Sequence, residues 1–328
     1  MARYLTAKVG RALFVVWASF TLTFALLFVL PADPVDLLFD PAERNSITPE
    51  IRAQVSALYG FDQPVLVQYL LRLGAALTGD FGTSVQSGRP VVASILDVLP
   101  GTLLLAVGSL ALAVVAAFAI ALVATYTRHR WLRDLVEALP PAAVSVPVFL
   151  LGILFIQVFS FTLGWFPSFG EVGAASIVLP LVTLAIPVSG PIAQLLVRSF
   201  TDEFASPYVV TSAAKGATRG WIVVRDVFRN ASLPALTIAG ITFGNLVAGA
   251  VIVETIFSRA GIGRLTQTAI NTLDVPLVQG IVVFVSASFA LINLVVDLVY
   301  PLLDPRLRAE LRAGATAPVP ARTERSPS

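Results

Sequence analysis

The sequence predicts an all-α protein that crosses a membrane several times. Of its 328 residues, 56% are hydrophobic and only 13% are charged, whereas a soluble domain carries about 25% charged residues. The apolar residues are gathered into long runs, and a helix needs about 20 consecutive apolar residues to cross a bilayer. Six runs of this kind are present, so the fold class is a polytopic membrane protein with six transmembrane helices.

The six predicted spans differ mainly in their proline content. They cover residues 12–30, 102–125, about 135–163, 175–197, 233–257 and 276–300. Prolines lie within or at the edge of the last four, which a membrane helix tolerates when its neighbours satisfy the freed carbonyl groups. Each of these prolines either kinks its helix or forms a hinge in a transport pathway, and the sequence leaves both open.

The distribution of basic residues predicts the orientation. If the N-terminus lies in the cytoplasm, the cytoplasmic segments hold 16 of the 22 Lys and Arg residues and the external segments hold the other six. Positive charge concentrates on the cytoplasmic side of membrane proteins. Both termini and the segment 206–234 are therefore expected in the cytoplasm. The net charge is only +2, which gives no reason to expect a nucleic-acid partner.

A long external segment, residues 31–100, follows the first span. It holds eight carboxylates and two amphipathic stretches, 47–60 and 65–77. The first has the marks of a capped helix, with Thr48 as N-cap, Pro49 at the first helical position and Gly60 as its stop. About 65 residues exceed the length of an ordinary connection. The segment is either a docking surface or a lid packed on its own helices.

The sequence offers no catalytic site. It has no cysteine and one histidine, His129, so thiol chemistry, histidine metal clusters and the usual nucleophile–base pairs are excluded. There is no phosphate-binding GxxxxGK[ST] loop. No catalytic, cofactor-binding or metal-binding residue is predicted, and the chain does not hydrolyse ATP itself.

Polar residues inside the spans are few. Three carboxylates, Glu137, Glu254 and Asp297, lie near the ends of spans, where pairing with a neighbouring arginine is the expected structural role. Four amides lie nearer the middle of spans and are candidates either to line a wet pathway or to bond between helices. They are Gln157, Gln194, Asn245 and Asn293.

The cytoplasmic segment 206–234 is the most informative feature. It is basic and contains a short Ala-rich run that ends at Gly216, which predicts a rigid helix stopped by glycine. Its apolar side chains would supply a buried contact to a soluble partner; an alternative is a surface helix lying on lipid headgroups. The residues predicted to couple to that partner are Tyr208, Val209, Val210, Thr211, Ser212, Ala213, Ala214, Lys215, Gly216 and Arg219.

Five motifs in order resemble the permease subunits of ABC importers, in the dipeptide/oligopeptide/nickel branch. One departure is Ala32, where the branch has glycine. The motifs are LPADPVDLL (30–38), GFDQPVLVQYLLRLGAALTGDFGTSVQSGRPV (60–91), SVPVFLLGILFIQVFSFTLGWFPSFG (145–170), GAVIVETIFSRAGIGRLTQTAI (249–270) and NLVVDLVYPLLDPRLR (293–308).

The segment 206–234 is similar to the EAA loop of these importers, which forms a coupling helix seated in a groove of the ATPase. Gly216 stands at the glycine of that motif, while Val210 replaces its glutamate. The resemblance implies a type I permease fold in the bacterial inner membrane. It also implies a second homologous permease, two cytoplasmic ATPase subunits that bind ATP and Mg²⁺, and an external solute-binding protein.

The resemblance also implies an organisation of the chain. Residues 1–97 would form the first helix and the external docking region, 98–301 the permease core, and 302–328 a disordered cytoplasmic tail. The implied substrate is a di- or oligopeptide or a related small solute. Two alternatives remain at this point: an intramembrane enzyme with Glu254 or Asp297 as its acid, and an ATP-independent carrier or channel.

Overall fold

The computed structural model describes residues 2–28, 48–59, 62–127, 129–171 and 173–303, and within these ranges the regular structure is helical. One isolated antiparallel bridge joins Thr83 to Pro90. The helices are α1 Ala2–Phe28, α2 Pro49–Tyr59, α3 Val65–Leu77, α4 Val91–Tyr126, α5 Arg130–Ser145, α6 Val148–Phe155, α7 Val178–Phe204, α8 Pro207–Ala214, α9 Arg219–Ile222, α10 Phe228–Ile256, α11 Ile262–Asn271 and α12 Val275–Leu303.

Four helices of the described chain, α1, α4, α7 and α12, are long and apolar enough to cross a membrane. The pair α5 and α6, extended by a π-helical turn at Ile156–Thr162, makes a fifth if it counts as one span. The predicted fifth span, 233–257, falls on α10, a helix of 29 residues. A count of six spans therefore stays a prediction.

The predicted span 135–163 is not a single straight helix. Helices α5 and α6 meet at an angle of 104°. The break lies at Val146, which is extended (φ −93°, ψ 123°), followed by Pro147. Proline lacks an N–H and disfavours the helical conformation of the residue before it, so the chain turns at this point.

Small side chains bring the long helices together. Ala113, Ala117 and Ala121 recur every fourth residue of α4 and are fully buried. Gly108 of the same helix lies so close to α7 that a Cβ atom there would stand 2.7 Å from Leu181 Cδ2. Close backbone approach through small residues is how membrane helices pack. We call the end of the bundle that holds α8 and α9 the inner end, and the opposite end the outer end, following the predicted orientation.

At the outer end, side chains from two other helices cap the N-terminus of α11. Glu254 of α10 accepts hydrogen bonds from the Gly263 amide (2.7 Å) and from the Thr102 hydroxyl (2.6 Å). The Thr102 oxygen accepts the Ile262 amide at 2.9 Å. The cap residue, Gly261, has no side chain to offer, so these groups satisfy amides that a helix start leaves unpaired. Helices α4, α10 and α11 are thereby fixed to one another.

The arginine expected beside Glu254 is engaged elsewhere. Arg259 forms an ion pair with Glu171 (3.3 Å) and donates to the Ser176 hydroxyl (3.2 Å). The Glu254 carboxylate, only 1% exposed, leaves no room at the turn: a Cβ on Gly261 would stand about 2.1 Å from it. Position 261 therefore has room for glycine but not for a residue with a Cβ atom.

The external segment packs on the outer half of the bundle. Helix α3 contacts α1 through Tyr69, whose hydroxyl accepts from Trp17 Nε1 at 3.0 Å and lies 2.8 Å from the Thr21 hydroxyl. Asp274, at the start of α12, accepts from the Ser84 hydroxyl (2.5 Å) and the Leu277 amide (3.2 Å). The described part of the segment is thus tied to its own helices.

The two predicted external helices agree with α2 and α3. The Ile51 amide donates to the Thr48 hydroxyl at 3.4 Å, consistent with Thr48 as N-cap. The predicted stop, Gly60, the motif 30–38 and the tail from residue 304 onward lie outside the described residues.

We expect Glu254→Ala to destabilise the protein by about 2–4 kcal/mol, because two buried donors lose their acceptor. Thr255→Ala is the matched control: its hydroxyl bonds only within its own helix, to Val251 O, and its loss should cost less than about 0.5 kcal/mol. Chemical denaturation of the two purified variants measures both. Equal stability of the two variants would contradict the capping role.

Candidate functional site

Helix α8 has a defined start and stop. Ser206 is extended (φ −70°, ψ 144°) and Pro207 occupies the first helical turn. At the other end, Gly216 adopts φ +86°, its amide donates to Ala213 O (3.0 Å), and the Ala217 amide donates to Ser212 O (3.1 Å). This pair of bonds is a Schellman motif, which uses a left-handed residue to close the last turn. The sequence therefore specifies a short, rigid helix.

One face of this loop is anchored in the bundle. Val209 of α8 is 8% exposed, and Ile222, Val223 and Val227 farther along the loop are also buried. They belong to a single apolar cluster with Leu196 and other residues of α4, α7 and α10. A force on α8 is therefore delivered to three long helices at once, since close-packed interiors transmit strain.

Other positions of α8 and of the loop are open. Val210 is 66% exposed and Val224 is 73% exposed, while Ala213 and Ala214 are also exposed. Beside α8 lies a cleft of about 540 Å³. Its lining residues are Ser212, Lys215, Gly216, Ala217, Thr218 and Trp221. Of the apolar residues expected to meet a partner, Val209 faces inward, and Val210, Ala213 and Ala214 remain accessible.

Two arginines, one from the loop and one from α5, bond to the C-terminal end of α4. Arg219 donates through Nη2 to Thr125 O at 3.0 Å and lies over the Tyr126 ring, 5.2 Å from its centroid. Arg133 of α5 donates through Nε to Ala124 O at 3.2 Å. Cationic side chains at a helix C-terminus donate hydrogen bonds to carbonyls that have no partner in the helix, and they interact favourably with the helix dipole. Arg219 thus holds the loop against α4.

Polar side-chain contacts also join α8 to the neighbouring segments of the chain. Ser212 donates to Asp226 Oδ2 at 2.9 Å. The Tyr208 hydroxyl donates to Glu203 and accepts from Asn230 Nδ2 at 3.3 Å. Burial and then the Glu203 hydrogen bond raise the pKa of Tyr208, so its phenol stays a neutral donor at physiological pH.

Sequence reasoning missed several residues of this site. Asp226 and Glu203 have no recognisable spacing from their partners, so no signal existed for them. Trp221 and Val224 did carry one, as large apolar residues in a basic loop; both are exposed, and Trp221 lines the cleft. Arg225 lies over the Trp221 ring, 5.2 Å from its centroid.

The three predicted amides whose side chains are described do not share one cavity. Gln157 is exposed in the π-helical turn after α6. Gln194 lines a cavity of about 420 Å³ between α5 and α7. Asn293 donates to Phe289 O at 2.9 Å within its own helix and lines a separate cavity of about 170 Å³ next to α1. Asn245 and Asp297 lie on α10 and α12, and their side chains are outside the described part of the structure.

Residues 110–309 match the family described as "binding-protein-dependent transport system inner membrane component". The chain belongs to this family. It is 37% identical over 287 residues to the glutathione transport system permease protein GsiC of Salmonella paratyphi A, covering 88% of this chain and 92% of that protein. The corresponding GsiC protein of Escherichia coli (strain K12) is 36% identical over the same length.

A solved structure with a similar fold is the inward-facing MetNI methionine ABC transporter. The TM-score is 0.52 at 20% identity, and the match covers 62% of this chain and 93% of that chain. At this identity the likeness shows the fold alone, and the fold is that of a type I importer permease.

Membership of the family decides the function class. The chain is a multi-pass inner-membrane protein and a transmembrane permease subunit of an ATP-driven ABC importer. It works with an ATPase and a binding protein, and ATP hydrolysis takes place in separate subunits. The alternatives of an intramembrane enzyme and of an ATP-independent carrier or channel were therefore wrong.

We expect Gly216→Ala to weaken the end of α8 by about 1 kcal/mol, because the left-handed conformation is unfavourable for any residue with a Cβ atom. Open space surrounds Gly216, so the effect is conformational rather than steric. Gly220→Ala is the matched control, since Gly220 has similar open space without a positive φ. Amide hydrogen exchange over 207–217 measures the effect, and equal protection in the two variants would contradict it.

Proposed function

We propose that this chain forms half of the translocation pathway of an importer for small peptides or related solutes. A second, homologous permease supplies the other half. Two cytoplasmic ATPase subunits bind ATP and Mg²⁺, and an external solute-binding protein delivers the substrate. The family description, which names a binding-protein-dependent system, supports this assembly. Alternating access then follows from closure and opening of the ATPase pair.

The observation that carries the proposal is the two-sided character of α8. Val209 belongs to the apolar cluster shared by α4, α7 and α10, whereas Val210 and Ala214, which lie about 100–140° around the helix from Val209, are exposed. A helix lying on lipid headgroups would not need this anchor. A helix that transmits a displacement from a partner to the bundle needs one surface packed on the bundle and another free to contact the partner.

The proposed contact with the ATPase is small and apolar at its centre. Val210, Ala213 and Ala214 form the exposed apolar surface, and the exposed Lys215 follows them directly in the chain. Charges at the rim of an interface mostly set orientation and association rate, whereas buried apolar contacts hold the complex together. With Val210 in place of the glutamate of related motifs, the contact depends on packing rather than on a charge pair.

The proposed substrate class follows from the relatives. The GsiC proteins, 36–37% identical over 287 residues, are named for glutathione transport, and glutathione is a tripeptide. Selection among peptides would rest mainly with the binding protein. In the proposed organisation, residues 1–97 provide the first helix and the docking region, 98–301 the core with the coupling loop 206–234, and 302–328 a cytoplasmic tail.

We expect Ala213→Arg to lower the amount of ATPase that co-purifies with the permease by about ten-fold or more, because it places an unpaired charge in the centre of the contact. Ala175→Arg introduces the same side chain at an exposed position of the outer end and should leave assembly unchanged.

ATP-driven uptake in reconstituted vesicles with the full set of subunits is the second measurement, and it should fall in parallel with assembly. Normal assembly and uptake with Ala213→Arg would refute the coupling role of α8. A loss of assembly with Ala175→Arg as large as that with Ala213→Arg would refute it as well, because the effect would then not depend on the position of the charge.

A further inference from the structure

A second polar site lies between α5 and α7, apart from the coupling loop. It is a cavity of about 420 Å³. Its lining residues are Glu137, Pro140, Pro141, Gln194, Val197 and Arg198. On each helix these residues are spaced by three or four positions, which places them on one helical face. The cavity therefore has one wall from α5 and one from α7.

The contact at Gly190 closes one end of this cavity. A Cβ atom on Gly190 would stand 2.6 Å from Val144 Cγ2 and 2.8 Å from Pro140 O, so α5 and α7 touch there. Gln194 lies one helical turn, and Arg198 two turns, from Gly190 toward the C-terminus of α7. The cavity thus opens toward the inner end of the bundle.

The polar groups around the cavity are not used by the fold. Within the described residues, the side chains of Glu137, Gln194 and Arg198 have no hydrogen-bond or ion-pair partner, and Glu137 and Arg198 do not pair with each other. The backbone adds an acceptor, because Pro141 has no N–H to donate to the carbonyl of Glu137 four residues earlier. Residues bearing a carboxylate, an amide and a guanidinium therefore line one space, and the unbonded Glu137 carbonyl belongs to the same helix.

This set of groups fits a ligand with two opposite charges. The Glu137 carboxylate and its carbonyl are acceptors for an ammonium group, and the guanidinium of Arg198 can bind a carboxylate through two parallel hydrogen bonds. The Gln194 amide can both donate to and accept from a peptide bond. A purely anionic ligand would be repelled by the Glu137 carboxylate, and a purely cationic ligand would be repelled by the Arg198 guanidinium.

We propose that this cavity binds a small peptide with free termini on its way to the cytoplasm. Its ammonium group lies at Glu137, its carboxylate at Arg198 and a peptide bond at Gln194. This proposal rests on the proposed function and names a place in the permease at which the transported peptide binds. Both charged side chains are exposed, which keeps each contact weak and suits a site from which the substrate must leave.

The test uses the complete transporter, with its partner permease and ATPases, without nucleotide or binding protein. Calorimetric titration with trialanine measures binding. We expect Glu137→Gln and Arg198→Gln each to weaken it by about four-fold, since each removes one exposed charge-assisted contact. Glu137→Gln should not alter binding of N-acetyl-trialanine, and Arg198→Gln should not alter binding of trialanine amide, because these blocked peptides lack the group concerned.

Matched controls are available on α5. Asp134→Asn and Arg130→Gln make the same charge changes on exposed residues that do not line the cavity, and they should leave the affinity within about two-fold. The blocked peptides give a second test on the unaltered transporter, where misfolding of a variant plays no part: each should bind about four-fold more weakly than trialanine.

Any of three results would overturn the cavity proposal. Trialanine does not bind, free and blocked peptides bind equally, or the control variants lose as much affinity for trialanine as the cavity variants do. ATP-driven uptake of trialanine with the binding protein present is measured separately. If trialanine is taken up but none of the expected binding differences is found, the cavity proposal is overturned and the proposed function is not. Absence of uptake would count against the proposed substrate class, on which the cavity proposal depends.

Discussion

The close packing of α4 against α7 and α10 is the constraint on which the rest of this protein depends. In a bilayer there is no hydrophobic driving force between helices, because lipid tails are as apolar as the side chains they would replace. Association then rests on how closely backbones approach. The fully buried Ala113, Ala117 and Ala121, with Gly108 against Leu181, provide that approach. It sets the ends of the three helices close enough for the loop between α7 and α10 to lie across them.

The two ends of the bundle are held in different ways. At the outer end, two buried carboxylates, Glu254 and Asp274, bind donors from other helices and from the external loop. Breaking such buried contacts is costly because the donors would be left unpaired. At the inner end the loop is held by an apolar cluster, by Arg219 and by polar contacts that are exposed or only partly buried. Apolar contacts can slide, and exposed polar groups can bond to water when they separate, so movement meets less resistance at the inner end.

Local features of this fold could be predicted from the sequence, and distant ones could not. The limits of α8 follow from Ser206, Pro207 and Gly216 alone, because capping and left-handed stops are properties of a few neighbouring residues. Pro147 marked a break, but the 104° angle depends on where α5 finds contact, at Gly190 of α7. Similarly, Glu254 was expected to meet a nearby arginine, whereas its partner Thr102 stands 152 residues away. One sequence carries no information on such pairs.

Helix α7 connects the two inner sites mechanically. Gln194 and Arg198 form one wall of the cavity, and the same helix continues to Phe204 and leads directly into α8 at Pro207. The other wall, α5, is tied to α4 through Arg133 and reaches α8 only indirectly, through the packing of α4 and α7. A displacement of α8 by a partner therefore moves the α7 wall more directly than the α5 wall. Under the proposed coupling, the distance between Glu137 and Arg198 would change with the position of α8, and a ligand that needs both charges would lose one of them when the walls separate.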